Sequence, residues 1–199
     1  MAKAAGDFIV SGKTWKHEVI RKALHMLIAL VPALSAVNRS HTALLLMAGT
    51  LFYASAESMR FLGFTTPLVS PLTKVAIRER EEGHFALGPV TLGLGALLAL
   101  ILFPHRAAAA AVYALAFGDS AATLTGKFLG RIRPAFMAGK SVEGSAACFL
   151  VSAAAGLLVF GDWKAALAAG AASALAEALP LGDFDNLSLP LAVGVVLTL

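Results

Sequence analysis

Seven long apolar runs, parted by short charged or Gly/Pro-containing breaks, decide what this chain can fold into. They lie at about 23–37, 42–63, 86–103, 107–126, 145–160, 163–179 and 187–199. Several approach the roughly 20 residues that a helix needs to cross a bilayer at about 1.5 Å per residue. The runs are continuous rather than alternating, which argues against a membrane β-barrel. Charged residues make up 14% of the 199, against about 25% in soluble domains. The expected fold is all-α: a polytopic integral membrane helical bundle of about seven transmembrane segments, one membrane-embedded domain over residues 1–199. Within it, residues 1–14 read as an N-terminal arm, 64–85 as a cytoplasmic interfacial loop and 127–144 as a cytoplasmic loop bearing the chemistry.

The formal net charge of +4 raises nucleic acid as a partner, but the placement of the charges argues otherwise. Threaded through seven segments, thirteen of the sixteen Lys and Arg fall on one side, leaving only Arg39, Arg106 and Lys164 on the other. That bias orients the N-terminus toward the cytoplasm. The basic residues then face the cytosol, with its nucleotides and anionic lipid heads, in a multi-pass protein of the cell membrane, and nucleic-acid binding has no support. The single cysteine, Cys148, excludes an internal disulfide and a multi-Cys metal site. None of the five histidines forms a close-spaced zinc pair. The first apolar run follows some twenty polar and basic residues without a convincing cleavage site, so no cleavable signal is expected.

The stretch FGDSAATLTGKFLGRIRPAFMAGKSVEGS, residues 117–145, is the chemical centre of the chain. Asp119 enters an apolar run, and an acid in that position faces the bundle interior or a wet cavity. Lys140, Ser141 and Gly144 bring a point charge, a hydroxyl and unshielded backbone N–H groups, the combination that grips phosphates. Arg131 and Arg133 read equally as phosphate ligands or as charges that only set orientation. Upstream, Glu18, Arg21, Lys22 and His25 fall near one helix face. Arg21 and Lys22 read as snorkelling, topology-setting groups, and His25 as either a satisfied core group or a phosphate ligand. Trp15 sits where an interfacial anchor belongs. Glu57 and Arg60, three apart, read as either an ion pair or part of a site. Residues Leu68 to Arg80 are expected as an amphipathic surface helix. Glu177, Pro180 and Gly182-Asp183-Phe184-Asp185-Asn186 return to the side of Lys140, and the final run, Leu187–Leu199, is short enough to be a half-span.

One membrane face thus collects Asp119, Glu143, Asp183, Asp185 and Asn186 with Lys140, Arg131 and Arg133. Oxygen ligands with few nitrogens or sulfurs select a hard cation, Mg²⁺, held by one or two carboxylates plus substrate phosphates. Lys and Arg beside Mg²⁺ are what phosphoryl or nucleotidyl transfer needs. No Walker-type phosphate loop is present, because Phe128 follows Lys127. The residues alone lead to a membrane enzyme acting on a lipid with a phosphate-bearing cosubstrate.

GDSAATLTGKFLGR…GKSVEGS resembles the signature of the polyprenol kinase family, which includes dolichol kinase, phytol kinase and the CTP-dependent diacylglycerol kinase. It resembles the CDP-diacylglycerol synthases more remotely. HEVIRKALHM, AESMR, REREEGHFALGP and EALPLGDFDNLSLPL resemble, in order, further elements of the same family, so the likeness covers most of the chain. The short chain is similar to the compact phytol-kinase-like or bacterial members. The resemblance implies transfer of the γ-phosphate of CTP to a membrane lipid alcohol at the cytosolic face, assisted by Mg²⁺. It implies that Asp119 holds metal or orients the nucleotide, that Lys140 and Ser141 bind phosphates, and that Gly144 admits the backbone. Glu143 becomes a second metal or base candidate, Asp185 and Asn186 complete the metal and nucleotide site, and Arg21, His25, Glu57 and Arg60 match positions of unassigned role. Two alternatives stand beside this expectation: a cytidylyltransferase that forms a CDP-lipid, and a non-enzymatic small transporter or scaffold.

Overall fold

The protein was analysed as a computed structural model, which describes residues 12–64 and 84–199, with side chains from residue 18 onward. The expected surface helix Leu68–Arg80 and the anchoring role of Trp15 lie outside this description. Of the expected arm, residues 1–11 also lie outside, and residues 12–14 are already helical.

Among the described residues every regular element is a helix. Helix α1 (Gly12–Met26) runs through a 3₁₀ turn (Leu27–Ala29) into α2 (Leu30–Val37). Asn38 breaks that rod and caps α3 (Arg39–Phe61), accepting from the His41 N–H at 2.9 Å. Helix α4 (Gly88–Leu102) opens on Gly88-Pro89, where a missing N–H is harmless. Helix α5 (His105–Tyr113) passes through a π-helical turn (Ala114–Gly118) into α6 (Asp119–Phe128). Helix α7 (Val142–Phe160) stops at Gly161, whose φ of 68° takes the left-handed conformation that suits glycine. Helix α8 (Trp163–Ala178) is capped by Asp162 and ends before Pro180, and α9 (Asp185–Val196) closes the described chain.

Among the described residues three stretches are long and apolar enough to cross a membrane: Glu18–Val37, His105–Phe128 and Val142–Phe160, with Gly88–Leu102 a shorter apolar helix. The protein is therefore an all-helical membrane protein with three candidate spans. The rod His105–Phe128 is the centre of the bundle, with most of its residues buried. The core is largely alanine, with Val31, Leu100, Phe103, Val112, Leu115, Leu189 and Val193 as the larger members. Small residues let backbones approach where hydrocarbon solvent provides no hydrophobic drive between helices. In the α7–α8 hairpin, a Cβ at Gly170 would lie 2.9 Å from the Phe149 carbonyl oxygen. Leu27, Leu30, Leu44, Leu45, Leu150, Leu158 and Leu175 remain exposed, forming an apolar exterior suited to lipid.

The expected half-span, residues 187–199, proves to be α9, a 12-residue helix set inside the bundle rather than on its surface. Leu189, Pro190, Val193 and Gly194 are buried. Glycines on both sides make the room. A Cβ at Gly95 would stand 2.0 Å from the Asn186 carbonyl oxygen, and one at Gly194 would stand 2.1 Å from the Phe103 ring. At the end of the bundle away from α1's charged face, Arg39 donates to the Leu100 carbonyl and, at 2.6 Å, to that of Phe103. Arg106 donates to the Val159 carbonyl at 3.0 and 3.2 Å. Both cations at that end cap helix C-termini.

Candidate active site

The last residues of α8, the start of α9, the face of α6, the charged face of α1 and the loop leading into α7 enclose a cavity of about 520 Å³. Asp119, Lys140, Ser141, Gly144, Asp185 and Asn186, scattered over 68 positions of sequence, all line it, together with Arg21, Lys127, Arg133 and Glu177.

Asp119 reaches the cavity through the π turn that precedes it. π turns recur at functional sites, and this one leaves the Leu115 carbonyl turned toward α1, where His25 Nε2 meets it at 3.0 Å. The same nitrogen is 3.1 Å from Asp119 Oδ2. Both neighbours are acceptors, so the ring proton belongs on Nε2. Lys22 Nζ donates to the same carboxylate oxygen. Lys22 is 1% exposed, which overturns its reading as a snorkelling residue: its charge is held inside the protein by an acid 97 residues away. One turn earlier, Glu18 accepts from Arg21 and, at 2.5 Å, from Lys127 Nζ on α6. Two ion pairs thus fasten α1 along α6. Nothing in the sequence pattern marked Lys22, Glu18 or Lys127 as partners in this way, because every one of these contacts except Glu18–Arg21 is long-range.

Lys140 closes the opposite wall. Pro180 ends α8 and strands its last carbonyls, and Lys140 Nζ takes up two of them, those of Glu177 and of Leu179 (2.8 Å). Its third proton goes to Asp185 Oδ2 at 2.7 Å. All three donors of the ammonium are thus engaged by protein, so a phosphate reaching Lys140 must displace one of these acceptors. Ser141 is the N-cap of α7: its hydroxyl accepts from the Gly144 N–H at 3.1 Å. Gly144 serves helix contact, since a Cβ there would lie 2.8 Å from the Ala122 carbonyl oxygen on α6. Arg133 folds back to donate to the Gly126 carbonyl at 2.5 Å and to that of Gly139, which shapes the loop. Asn186 donates from its amide to the Gly88 carbonyl at 3.2 Å and to Thr91 Oγ1 at 3.0 Å, fixing the start of α9 to α4.

Glu143 and Arg131 stand apart from this cavity, in a separate hollow beside Phe128, Leu129 and Gly130. The Glu143 carboxylate accepts from the backbone N–H groups of Arg131 (2.9 Å) and Ile132 (3.1 Å), which pins the loop to the first turn of α7. The structure therefore does not bring Glu143 to Asp119 and Asp185 as a third metal ligand. Glu57 and Arg60 also lie elsewhere. Arg60 makes a two-pronged contact with Glu57 at 2.7 and 2.6 Å, the Ala86 N–H donates to Glu57 at 2.8 Å, and Arg60 donates to the His84 carbonyl at 2.9 Å. Glu177, which the sequence placed only near a helix end, is the wall residue that pattern reading passed over.

Among the described residues no three metal-ligating side chains form a group, so an all-protein metal cage does not fit here. A hard cation sharing its shell with phosphate and water does fit, for Asp119 and Asp185 both face the cavity. Glu177 Oε2 is among the buried polar atoms that have no hydrogen-bond partner among the described residues. Four cationic side chains and three carboxylates around one space suit a polyanion accompanied by a cation.

No protein-family model and no solved structure matches the chain. The sequence has a relative among characterised proteins. It is similar to a CTP-dependent diacylglycerol kinase. That protein, CTP-dependent diacylglycerol kinase 1 of Eremothecium gossypii, is 30% identical over 151 residues, which are 73% of this chain and 45% of the relative. The chain thus spans less than half the length of the kinase that it resembles.

Proposed function

We propose that this protein is a membrane-embedded lipid kinase of the polyprenol kinase type, transferring the γ-phosphate of CTP to the hydroxyl of a membrane lipid alcohol. The observation that carries this reading is the cavity itself, in which Arg21, Lys127, Arg133 and Lys140 face Asp119, Glu177 and Asp185 across about 520 Å³. That volume falls within the roughly 300–1,000 Å³ of small-molecule sites. The similarity to a CTP-dependent diacylglycerol kinase supports the same class of reaction and the same donor. In this reading seven helical segments cross the cell membrane with the N-terminus and the cavity toward the cytoplasm, where CTP is found.

Phosphoryl transfer through a loose transition state depends on positioning and charge neutralisation more than on covalent chemistry. Arg21, Lys127 and Arg133 neutralise the triphosphate, and Lys140 joins them by exchanging one protein acceptor for a phosphate oxygen. Asp119, locked in place by Lys22 and His25, orients the nucleotide or its cation. Mg²⁺, when bound, would be held by Asp119 and Asp185 together with phosphate oxygens, and it supplies neutralisation of charge on the transferred group. Ser141 and Gly144 hold the α6–α7 contact on which the site is built, and Asn186 fixes α9 against α4. Arg131 and Glu143 set the loop. The acceptor is an isoprenoid alcohol or diacylglycerol.

The test is incubation of the purified protein with γ-labelled CTP, Mg²⁺ and a panel of diacylglycerol, phytol, farnesol and dolichol. Label is expected in one lipid monophosphate, with release of CDP, and is expected to disappear in Asp119→Ala and Lys140→Ala. Release of pyrophosphate with formation of a CDP-lipid would replace this reading by the cytidylyltransferase one. A failure to label any lipid, or to form any CDP-lipid, would remove enzyme function from the cavity.

A further inference from the structure

Four carboxylates are buried among the described residues: Glu18, Glu57, Asp119 and Glu177. Three of them are matched. Glu18 faces Arg21 and Lys127, Glu57 faces Arg60 and the Ala86 N–H, and Asp119 faces Lys22 and His25. Glu177 is different. It is 7% exposed, its Oε1 stands 3.5 Å from Lys140 Nζ, beyond hydrogen-bond contact, and its Oε2 is covered and has no donor among the described residues. A buried oxygen left unpaired is costly, and where a native fold keeps one it needs an explanation. Glu177 lines the cavity, so a ligand there can bring the missing donor.

Resting on the kinase reading above, we propose that Glu177 is the acceptor of the lipid hydroxyl: it orients the O–H toward the terminal phosphate and takes its proton. Position selects this donor over the others that a nucleotide brings. Glu177 adjoins Lys140, so whatever occupies this corner lies beside the phosphates. The phosphate chain carries only acceptors, and the ribose hydroxyls and base lie at its far end. The proton-bearing group that must sit next to the terminal phosphate is the lipid alcohol. Leu175, Leu179 and Leu181 flank Glu177 and are exposed, which gives a hydrocarbon tail an apolar surface to follow. In the transfer the alcohol oxygen bonds to the γ-phosphorus, the bond from that phosphorus to the β-phosphate oxygen breaks, and the proton passes to Glu177. Engagement of Lys140 by a phosphate would draw it off the Glu177 carbonyl and open the carboxylate to the alcohol. The products are a lipid monophosphate and a nucleoside diphosphate, and Glu177 returns the proton to water through the cavity.

The experiment is steady-state kinetics of the full chain in nanodiscs, using γ-labelled CTP and whichever panel alcohol the wild type phosphorylates. Glu177→Gln keeps the shape and removes the proton acceptor. It is expected to lower kcat by about 100-fold or more, the scale of general-base catalysis, with the KM for CTP within about 3-fold of wild type. Glu177→Asp is expected to recover at least about 10-fold of the kcat lost in the Gln variant, because it restores a carboxylate on a shorter arm. Thermal melting of both variants is expected to match wild type. A Gln variant with wild-type kcat would overturn the inference while leaving the kinase reading intact. So would a raised KM for CTP at unchanged kcat, which would make Glu177 a nucleotide contact. An unfolded Gln variant shifts the decision to Glu177→Asp, where no recovery means a structural role and overturns the proposal. Absence of transfer by the wild type itself would instead remove the reading on which the inference stands.

Discussion

Glu57 and Asp119 each bring an acid into an apolar stretch, each is buried, and each meets a base, yet the two corners of the bundle are built to different ends. Around Glu57 every acceptor is matched within the protein: Arg60 clasps both oxygens, and the Ala86 N–H adds a further bond. The pair joins the end of α3 to the approach to α4 and borders no described cavity. Around Asp119 the bases come from another helix, and the acid also lines an open space shared with Lys140 and Asp185. A self-contained pair joins elements. A pair at the edge of a cavity can do that and still offer a charged surface to a ligand.

The largest expected effect separates these two corners by activity. Asp119→Ala removes the acid that holds the buried Lys22 ammonium, which costs about 3–5 kcal/mol, and also removes an acid from the proposed site. The double variant Lys22→Met with Asp119→Leu is expected to recover most of that stability, read as thermal melting in detergent, and none of the phosphate transfer. Full activity in the double variant would make the Asp119 corner as purely structural as that of Glu57. Next, Glu57→Ala is expected to cost about 3 kcal/mol, at the low end for a broken pair because Arg60 can turn to water. The surviving folded protein should transfer phosphate at the wild-type rate per molecule, and a lost rate would move Glu57 into the site. Gly144→Ala drives a methyl against the Ala122 carbonyl and is expected to cost about 1–3 kcal/mol by overpacking. It should also raise the KM for CTP, because it separates the walls of the cavity. Smallest is Ser141→Ala, where loss of the N-cap costs about 1 kcal/mol with little change in KM, a result that would distinguish a cap from a phosphate ligand.

The helices were legible because they depend on local chemistry. Asn38 and Asp162 cap, Gly88-Pro89 starts a helix, Pro180 stops one, and most of each apolar run is helical. The Glu57–Arg60 contact was legible for the same reason, being three residues apart on one helix. The grouping of Asp119 with Lys140, Asp185 and Asn186 came from charge placement and resemblance, and one cavity holds all four. What each side chain touches was not legible. Lys22 sits one residue from Arg21, and only the packing of α1 on α6 decides that the lysine is buried against Asp119. Glu143 follows the capping serine by two residues, and whether its carboxylate turns to the cavity or to the Arg131 and Ile132 amides depends on how the preceding loop folds back. Glu177 opens the EALPLGDFDNLSLPL stretch, but nothing in that stretch gave it a role. Its distinction is the bond it lacks, and a missing bond has no sequence signature.

The π turn at Ala114–Gly118 has a consequence for how this chain tolerates change in length. A π turn accommodates one more residue than the α-helix would, so the extra residue is absorbed within the turn and the rod beyond it keeps nearly the direction of an uninterrupted α-helix. Deleting a single residue there would close the turn, leave Asp119 near Lys22, and return the Leu115 carbonyl to an intrahelical bond, so that His25 would lose that acceptor. A deletion in the regular helix between Asp119 and Lys127 would instead turn everything beyond it by about 100° and carry Lys127 off the face that meets Glu18. The wide turn is thus a place where the rod can lose a residue and keep its charges in register.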